Sequence, residues 1–496
     1  MPGKPILLVR VDLRKGESHI MEIVFLTASK YILMLFFALY TLNSFLALKN
    51  HRESENKGTL FAEKFFLYSI HLVGNAVIYL NTKSDKVLLF YGCQLILFIA
   101  IMELFPILYP HTKRNLLNHI CMLLNISFLI MTRLSMERSV KQFKILLIAV
   151  VLFFVIPWIY KKIKRPERGL WFYFAIGFLA LCVVLVMSQI TYGAKLSLTI
   201  GPITLQPSEF VKITFVFMLA ACFTQGKSLK HVLFAGVLAG MHVIVLVLST
   251  DLGASLIFCV TYLMVVFAAT SKKRYLLVGG IGGAFAAVIA WKMFYHIQVR
   301  VSAWLDPFAD IANKGYQMAQ SLFAIGTGKW TGTGLYEGLP TSIPIVYQDF
   351  TFSAIAEEFG GLFAICLIFL YFNIFVLIMQ IALEQKNLFC KYACTGLAVV
   401  LEMQTFLTIG GAIKLIPSTG VTLPCISYGG SSIMSMMMIF ALVQAMYGKE
   451  AQQVYEERRR IEKEEQKRRL ERAEKRKQFQ IPEVRDAKTR SIKKES

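Results

Sequence analysis

Charge is scarce in this chain. Asp, Glu, Lys and Arg make up only 17% of its 496 residues, against roughly 25% in soluble domains. The length alone would suggest several soluble domains, but so little charge cannot coat their surfaces. The composition equally excludes disorder, collagen and coiled coil as descriptions of the whole chain. The nine cysteines have neither C-x-x-C nor metal-ligand spacing. Cys93, Cys121, Cys182, Cys222, Cys259 and Cys366 fall inside apolar runs and read as small unpaired core residues, which excludes a disulfide scaffold. A small-residue cleavage site is also missing after the first apolar run, so no cleavable leader is expected.

Apolar residues are abundant: 56% of the chain is hydrophobic, Phe occurs 39 times and mean hydropathy is +0.57. Long continuous apolar runs, rather than short alternating ones, predict an all-α polytopic membrane protein and not a strand barrel. About thirteen spans are expected, near 24–48, 64–82, 87–109, 115–132, 143–160, 170–190, 208–224, 231–249, 252–270, 274–292, 350–383, 390–412 and 428–447. The run 350–383 is too long for one untilted helix. Its first part, with Glu357 and Glu358, is expected above the hydrocarbon.

Net charge is +22, and its distribution sets the orientation. Loops 161–168, 227–230, 271–274 and 384–391 and the tail after Gly448 are basic, and they alternate with the poorly basic 191–207, 293–349 and 413–427. The positive-inside rule places the basic set, and with it the C-terminus, in the cytoplasm. Thirteen spans then put the N-terminus outside, although Lys4, Arg10, Arg14 and Lys15 argue inward. Three regions are expected: an N-terminal extension, 1–112, with about three spans; a ten-helix domain, 113–448, with a large outer loop 293–349; and a charged cytoplasmic tail, 449–496. The tail carries 17 basic and 11 acidic residues. It reads as a solvated helix touching anionic lipid or as a docking helix for a cytoplasmic partner; nucleic-acid binding is the poorest of its readings.

Four polar constellations interrupt the apolar pattern. Gln206-Pro207-Ser208-Glu209 with Lys212 reads either as a capped helix start with an ion pair or as a charged pair facing a cavity. Asp251, in Ser249-Thr250-Asp251-Leu252-Gly253, is either an N-cap or a functional carboxylate. The outer loop holds Arg300, Trp304-Leu305-Asp306-Pro307, Gly315-Tyr316-Gln317, Gln320-Ser321, recurrent glycines, and finally Tyr347-Gln348-Asp349-Phe350. At 57 residues it is too long for a connection and reads as a lid, a substrate platform or a packed cap. The stretch from Gly420 to Ser432, with Ser427, suits close helix packing or backbone approach to a polar head group.

In order, these blocks resemble the SEDS family, the FtsW/RodA/SpoVE membrane proteins of bacterial cell-wall synthesis, from about residue 115 to 448. The matches are Gly193-Ala194 followed by Gln206-Pro207-Ser208-Glu209; Asp251-Leu252-Gly253; Arg300-Val301 through Gln320-Ser321; Asp349-Phe350 with Ala356-Glu357-Glu358-Phe359-Gly360; and Gly420-Val421-Thr422-Leu423-Pro424 with Ile426-Ser427-Tyr428-Gly429-Gly430-Ser431. Two places depart from the pattern: Leu196 and Ser197 stand where the family usually has Arg-Trp, and Pro344 to Gln348 replace a Pro-Glu-x-His-Thr run. Both departures bear on substrate contacts rather than on Asp349.

The resemblance implies a peptidoglycan glycosyltransferase that polymerises lipid II at the outer face of the bacterial cytoplasmic membrane, in elongation, division or sporulation. It implies a class B penicillin-binding protein as transpeptidase partner and a divalent cation, Mg²⁺ or Mn²⁺. Asp349 would be the catalytic carboxylate, as general base or metal ligand. Arg300, Lys212 and Lys195 would face the diphosphate. Glu209, Asp251 and Glu358 would set local charge or ligate metal, with Gln317 and Ser427 among the substrate contacts. A lipid II flippase and a non-catalytic transpeptidase scaffold are the competing classes. A flippase would hold its charges at the bilayer midplane; a scaffold would need no essential carboxylate.

Overall fold

The computed structural model describes residues 6–49, 57–187, 198–200 and 203–492. The N-terminal region forms α1 (Ile6–Lys49), α2 (Lys57–Thr82), and α3 (Asp85–Ile99), which runs through a π turn at Ala100–Leu104 into α4 (Phe105–Leu108). Pro106 explains the π turn: it has no amide hydrogen and its ring crowds the preceding turn, so the helix widens just before it. There follow α5 (Arg114–Leu134), α6 (Met136–Lys162), α7 (Leu170–Met187), α8 (Pro207–Gln225), α9 (Leu229–Leu248), α10 (Leu252–Thr270) and α11 (Lys273–Met293). The long loop contains α12 (Tyr295–Leu305) and α13 (Tyr316–Gly328). The chain ends with α14 (Thr351–Phe359), α15 (Gly361–Glu384), α16 (Leu388–Ala412) and α17 (Gly430–Ile492). One departure from an all-helical chain is a short antiparallel hairpin, β1 (Leu198–Ile200) with β2 (Ile203–Leu205), in register Thr199 to Thr204.

Among the described residues, twelve helices are long and apolar enough to cross a membrane. Helices dominate because a lipid-embedded backbone must satisfy its own hydrogen bonds. The thirteenth expected span, α2, is helical but falls outside that set. Its polar residues face protein rather than lipid. Buried Glu63 accepts from Asn118 Nδ2 at 2.7 Å, and His71 Nδ1 lies 3.0 Å from Asn125 Oδ1. Such interhelical hydrogen bonds, with close packing, hold helices together where lipid offers no hydrophobic driving force. Phe37 of α1 meets Phe363 of α15 at 4.2 Å between ring centroids. With the N-terminal helices in place, every residue of α5 from Asn115 to Thr132 is buried. Helix α11 is the opposite case, with no buried residue.

The apolar run 350–383 is broken as its length demanded. Gly360 (φ +93°) separates α14 from α15, and a Cβ there would meet the backbone of Gly332. Glu357 and Glu358 therefore belong to a separate short helix.

The two ends of the bundle differ. At one end the long loop meets α1, where Lys30 Nζ reaches Gly332 O at 3.5 Å, and α5, where Arg133 Nη2 donates to Gly338 O at 3.1 Å. The start of α1 thus lies at the loop-bearing end. At the other end the basic loops meet one another: Lys449 Nζ donates to Ile163 O at 3.2 Å, Lys386 pairs with Glu457 at 3.1 Å, and Lys227 stands over the Tyr392 ring. Helix α17 leaves the bundle at this end without a break, and its side chains from Glu456 to Lys475 are exposed.

Candidate active site

The loop-bearing end gathers three segments around Gly420. Helix α12 is pinned across the connection between α16 and α17: Arg300 Nη1 donates to Ser418 O at 3.0 Å and Trp304 Nε1 to Lys414 O at 3.1 Å. That connection is anchored from below by Thr408 Oγ1 to Val421 O at 2.9 Å and Gln404 Nε2 to Thr422 O at 3.0 Å. Tyr428 N donates to Tyr347 O at 2.7 Å, which ties it to the segment that carries Asp349. Gly420 (φ +75°) sits where the three converge. A Cβ there would lie 3.3 Å from Arg300 Nη2 and 3.7 Å from Asp349 Oδ2. Glycine serves here both for its backbone conformation and because a cation and a carboxylate crowd the same spot.

Asp349 is half-buried, and burial pushes its carboxyl up to about 6, against the opposing pull of the Arg300 guanidinium. Capping is not its role. Helix α14 begins at Thr351 with Phe350 as N-cap, and no side chain caps it. Among the described residues nothing donates a hydrogen bond to the Asp349 carboxylate. Arg300 is exposed.

Sequence reasoning missed two arginines here. The Arg138 guanidinium lies 3.8 Å from the centroid of Tyr347, which packs edge-on against Tyr428. Arg133 holds Glu358, donates through Nη2 to Gly338 O at 3.1 Å and stacks on Tyr336. The signal was available. Both arginines lie at the poorly basic end, against the positive-inside bias, next to an apolar helix.

The remaining expected contacts separate into distinct places. Lys212 is only 1% exposed. Its Nζ donates to Glu209 Oε1 and to Gln404 Oε1, both at 2.7 Å, and Glu209 Oε2 accepts from Ser435 at 3.1 Å. The pair is an internal brace for the α16–α17 connection and does not open on a diphosphate site. Asp251 is an N-cap: Oδ1 accepts from Ala254 N at 3.1 Å and Oδ2 from Ser208 at 3.0 Å. Ser427 is buried; its Oγ donates to Thr351 Oγ1 at 3.1 Å and accepts from Leu423 N at 3.0 Å, so it pins α14 rather than meeting a substrate. Glu358 is buried against Arg133, near the end of α14 that lies away from Asp349. Gln317 is exposed on α13. Lys195, with Gly193, Ala194, Leu196 and Ser197, lies outside the described residues.

What stays together is one carboxylate and one guanidinium on a rim, a pair whose chemistry allows it to accept a proton and to meet an anion. Among the described residues no group of three or more His, Cys, Asp or Glu could enclose a metal ion. The single carboxylate does fit Mg²⁺ bound in the manner of phosphoryl substrates, through one carboxylate plus substrate oxygens.

The chain is 35% identical over 267 residues to the peptidoglycan glycosyltransferase RodA of Mycobacterium bovis, covering 51% of this chain and 57% of that one. It is 32% identical over 278 residues to the probable peptidoglycan glycosyltransferase FtsW of Nitrosococcus halophilus, covering 54% and 72%. The chain thus spans a little over half the length of the first of these relatives. Its fold matches a chain from a structure described as structural coordination of polymerization and crosslinking by a peptidoglycan synthase complex, with TM-score 0.59, 24% identity, and 68% and 97% of the two chains covered. It also matches the Rod shape determining protein RodA of Thermus thermophilus, with TM-score 0.53, 23% identity, and 68% and 96% covered. Residues 112–452 match the profile of the FtsW/RodA/SpoVE family, described as a cell cycle protein. The chain is a multi-pass membrane protein and belongs to the FtsW/RodA/SpoVE, or SEDS, family.

Proposed function

We propose that this protein is a peptidoglycan glycosyltransferase that joins lipid II units at the outer face of the bacterial cytoplasmic membrane. One observation carries the reading: a carboxylate without a hydrogen-bond partner among the described residues, raised to about 6, beside the Arg300 guanidinium at the rim of the bundle. In the reaction the acceptor's 4-hydroxyl attacks the donor's anomeric carbon, its proton passes to Asp349, and the polyprenyl diphosphate leaves. Arg300 offsets the charge that builds on the leaving oxygens. A divalent cation, Mg²⁺ or Mn²⁺, would be held by Asp349 together with substrate oxygens and would supply further neutralisation of the diphosphate. A base near 6 is well matched to work at neutral pH. The names of the relatives support the activity. The likeness to a chain of a synthase complex that coordinates polymerization with crosslinking supports a crosslinking partner, which we take to be a class B penicillin-binding protein.

The test is direct. Purified protein, alone and with such a partner, is incubated with lipid II and the products are run on a gel. Glycan strands are expected; transport of lipid II across vesicles without polymer would instead identify a flippase.

Sidedness is part of the proposal, with the loop-bearing end outside and the basic loops and α17 tail in the cytoplasm. Single cysteines placed in 310–340 of a cysteine-free chain should react with an impermeant thiol reagent on intact cells. Those in 161–168 or 271–274 should react only after permeabilisation, and the reverse pattern would sink the outer-face assignment.

Activity should also depend on pH with a definite sign. The basic form of Asp349 is lost as pH falls through about 6, so polymerisation should decline there. Arg300 favours the charged carboxylate, so in Arg300→Ala the acidic limb should move to higher pH as well as the rate falling. A limb that stays fixed in Arg300→Ala would show that Asp349 does not set the profile.

A further inference from the structure

A half-open cavity lies at the opposite end of the bundle from Asp349. It is a cavity of about 310 Å³ formed where three regions meet: the connector after α4, the end of α6, and α17 as it leaves the bundle. Its floor is apolar, with Phe105, Pro157 and Ala445. Its rim is cationic and polar, with Lys161, Lys449 and Gln453. The exposed Lys161 ammonium makes no hydrogen bond or ion pair with any described residue, and the Gln453 amide is likewise free among them. Lys449 is preorganised by its bond to Ile163 O and by the Tyr160 ring, 5.5 Å from its ammonium. The His111 ring packs against Tyr455 on the same rim. The single acid among the lining residues, Glu456, accepts from Gln452 at 2.9 Å and stands against the two lysines, so the lining carries a net positive charge.

We propose that this cavity binds the phosphate-bearing headgroup of an anionic phospholipid from the cytoplasmic leaflet. A phosphate diester would meet Lys161, Lys449 and the amide of Gln453, and the glycerol and first methylenes would lie on Phe105 and Pro157. A free phosphate monoester shares the anionic chemistry, but it would leave the apolar floor of Phe105, Pro157 and Ala445 unused. The size is at the lower end of ordinary ligand pockets, as suits a headgroup rather than a whole lipid. The surroundings supply such ligands, because anionic lipids concentrate at basic juxtamembrane surfaces. A bound headgroup would tie the N-terminal helices to the exit of α17, which join here through the Lys113 backbone and Gln444 at 2.9–3.0 Å. The placement of this end in the cytoplasm rests on the proposed function.

The experiment is native mass spectrometry of the full-length protein in detergent with no lipid II, so its result is independent of polymerase activity. Phosphatidylglycerol, phosphatidylcholine and soluble glycerol phosphate are the probes. Phosphatidylglycerol should be retained in preference to phosphatidylcholine. Lys161→Ala/Lys449→Ala should lower retention at least fivefold, whereas Lys227→Ala/Lys230→Ala, in another basic loop at the same end, should leave it unchanged. Lys161→Glu, a single exposed substitution, should show the same loss and covers the case in which the double variant does not fold. Equal retention of the two lipids, or unchanged retention in the Lys161 variants, would overturn the site. Displacement of phosphatidylglycerol by equimolar glycerol phosphate would overturn the lipid in favour of a soluble anion.

Discussion

Asp349→Asn is expected to abolish the proposed lipid II polymerisation while the protein still expresses, folds and binds the proposed transpeptidase partner. Asn is nearly isosteric, so packing should hold. It is neutral, so it can neither take the acceptor's proton nor balance a divalent cation. Loss of general-base help alone costs about 10²–10⁴ in rate. The structure sharpens the test, because the alternative role of helix cap is gone. The N-cap of α14 is Phe350, and no amide of that helix bonds to Asp349. Asp310 is the control. It stands in the same long loop and, among the described residues, its carboxylate accepts only a local side-chain bond from Asn313 Nδ2 at 2.9 Å, so Asp310→Asn should be mild. The assay is glycan product formation by the purified variants with added Mg²⁺ or Mn²⁺. Near-wild-type polymer from Asp349→Asn would retire the catalytic assignment.

Much of the fold is legible in the sequence because the signals are strong and local. An apolar run of about twenty residues fixes a span almost regardless of context, and the excessive length of 350–383 demands the break that Gly360 makes. Helix α2 is harder. Glu63, His71 and Asn75 lower its apolarity, and only tertiary structure reveals that they face α5 and one another. The N-terminus is ambiguous for a related reason. The charges of Lys4, Arg10, Arg14 and Lys15 compete with the span count, and the contact from Lys30 to Gly332 decides which end the start of α1 occupies. The hairpin of β1 and β2 leaves no signal that three-residue strands could carry.

The site is legible in identity but not in depth. Asp349 and Arg300 stand out in their blocks, and they do share a rim around Gly420. Periodicity cannot say whether a charge near a helix start faces a cavity or the core, so sequence groups Lys212, Glu209 and Asp251 with the surface chemistry although the fold assigns them to bracing and capping. Arg138 and Arg133 escape notice because the five matched blocks do not include them. Their chemistry, guanidinium on tyrosine and guanidinium on carboxylate, needs partners more than 200 residues away.

Lys212 supplies the second large effect, and it separates the two readings of that residue. Lys212→Met leaves Glu209 buried with only the Ser435 hydroxyl for company. Removing one member of a buried pair costs about 3–5 kcal/mol, because the remaining charge is uncompensated. Thermal unfolding in detergent should therefore show a large loss of stability. Glu209→Gln/Lys212→Met removes both charges together and keeps a group that Ser435 can bond. Replacing both members of a buried pair is often neutral or better, although the oxygen of Gln404 loses its partner at about 1–3 kcal/mol. The double variant should thus recover most of the stability lost in the single one, and with it measurable polymerase activity. If Lys212 gripped the diphosphate instead, the double variant would be stable and inactive. A folded, inactive Glu209→Gln/Lys212→Met enzyme would accordingly return Lys212 to the substrate contacts and require the α16–α17 connection to open during turnover.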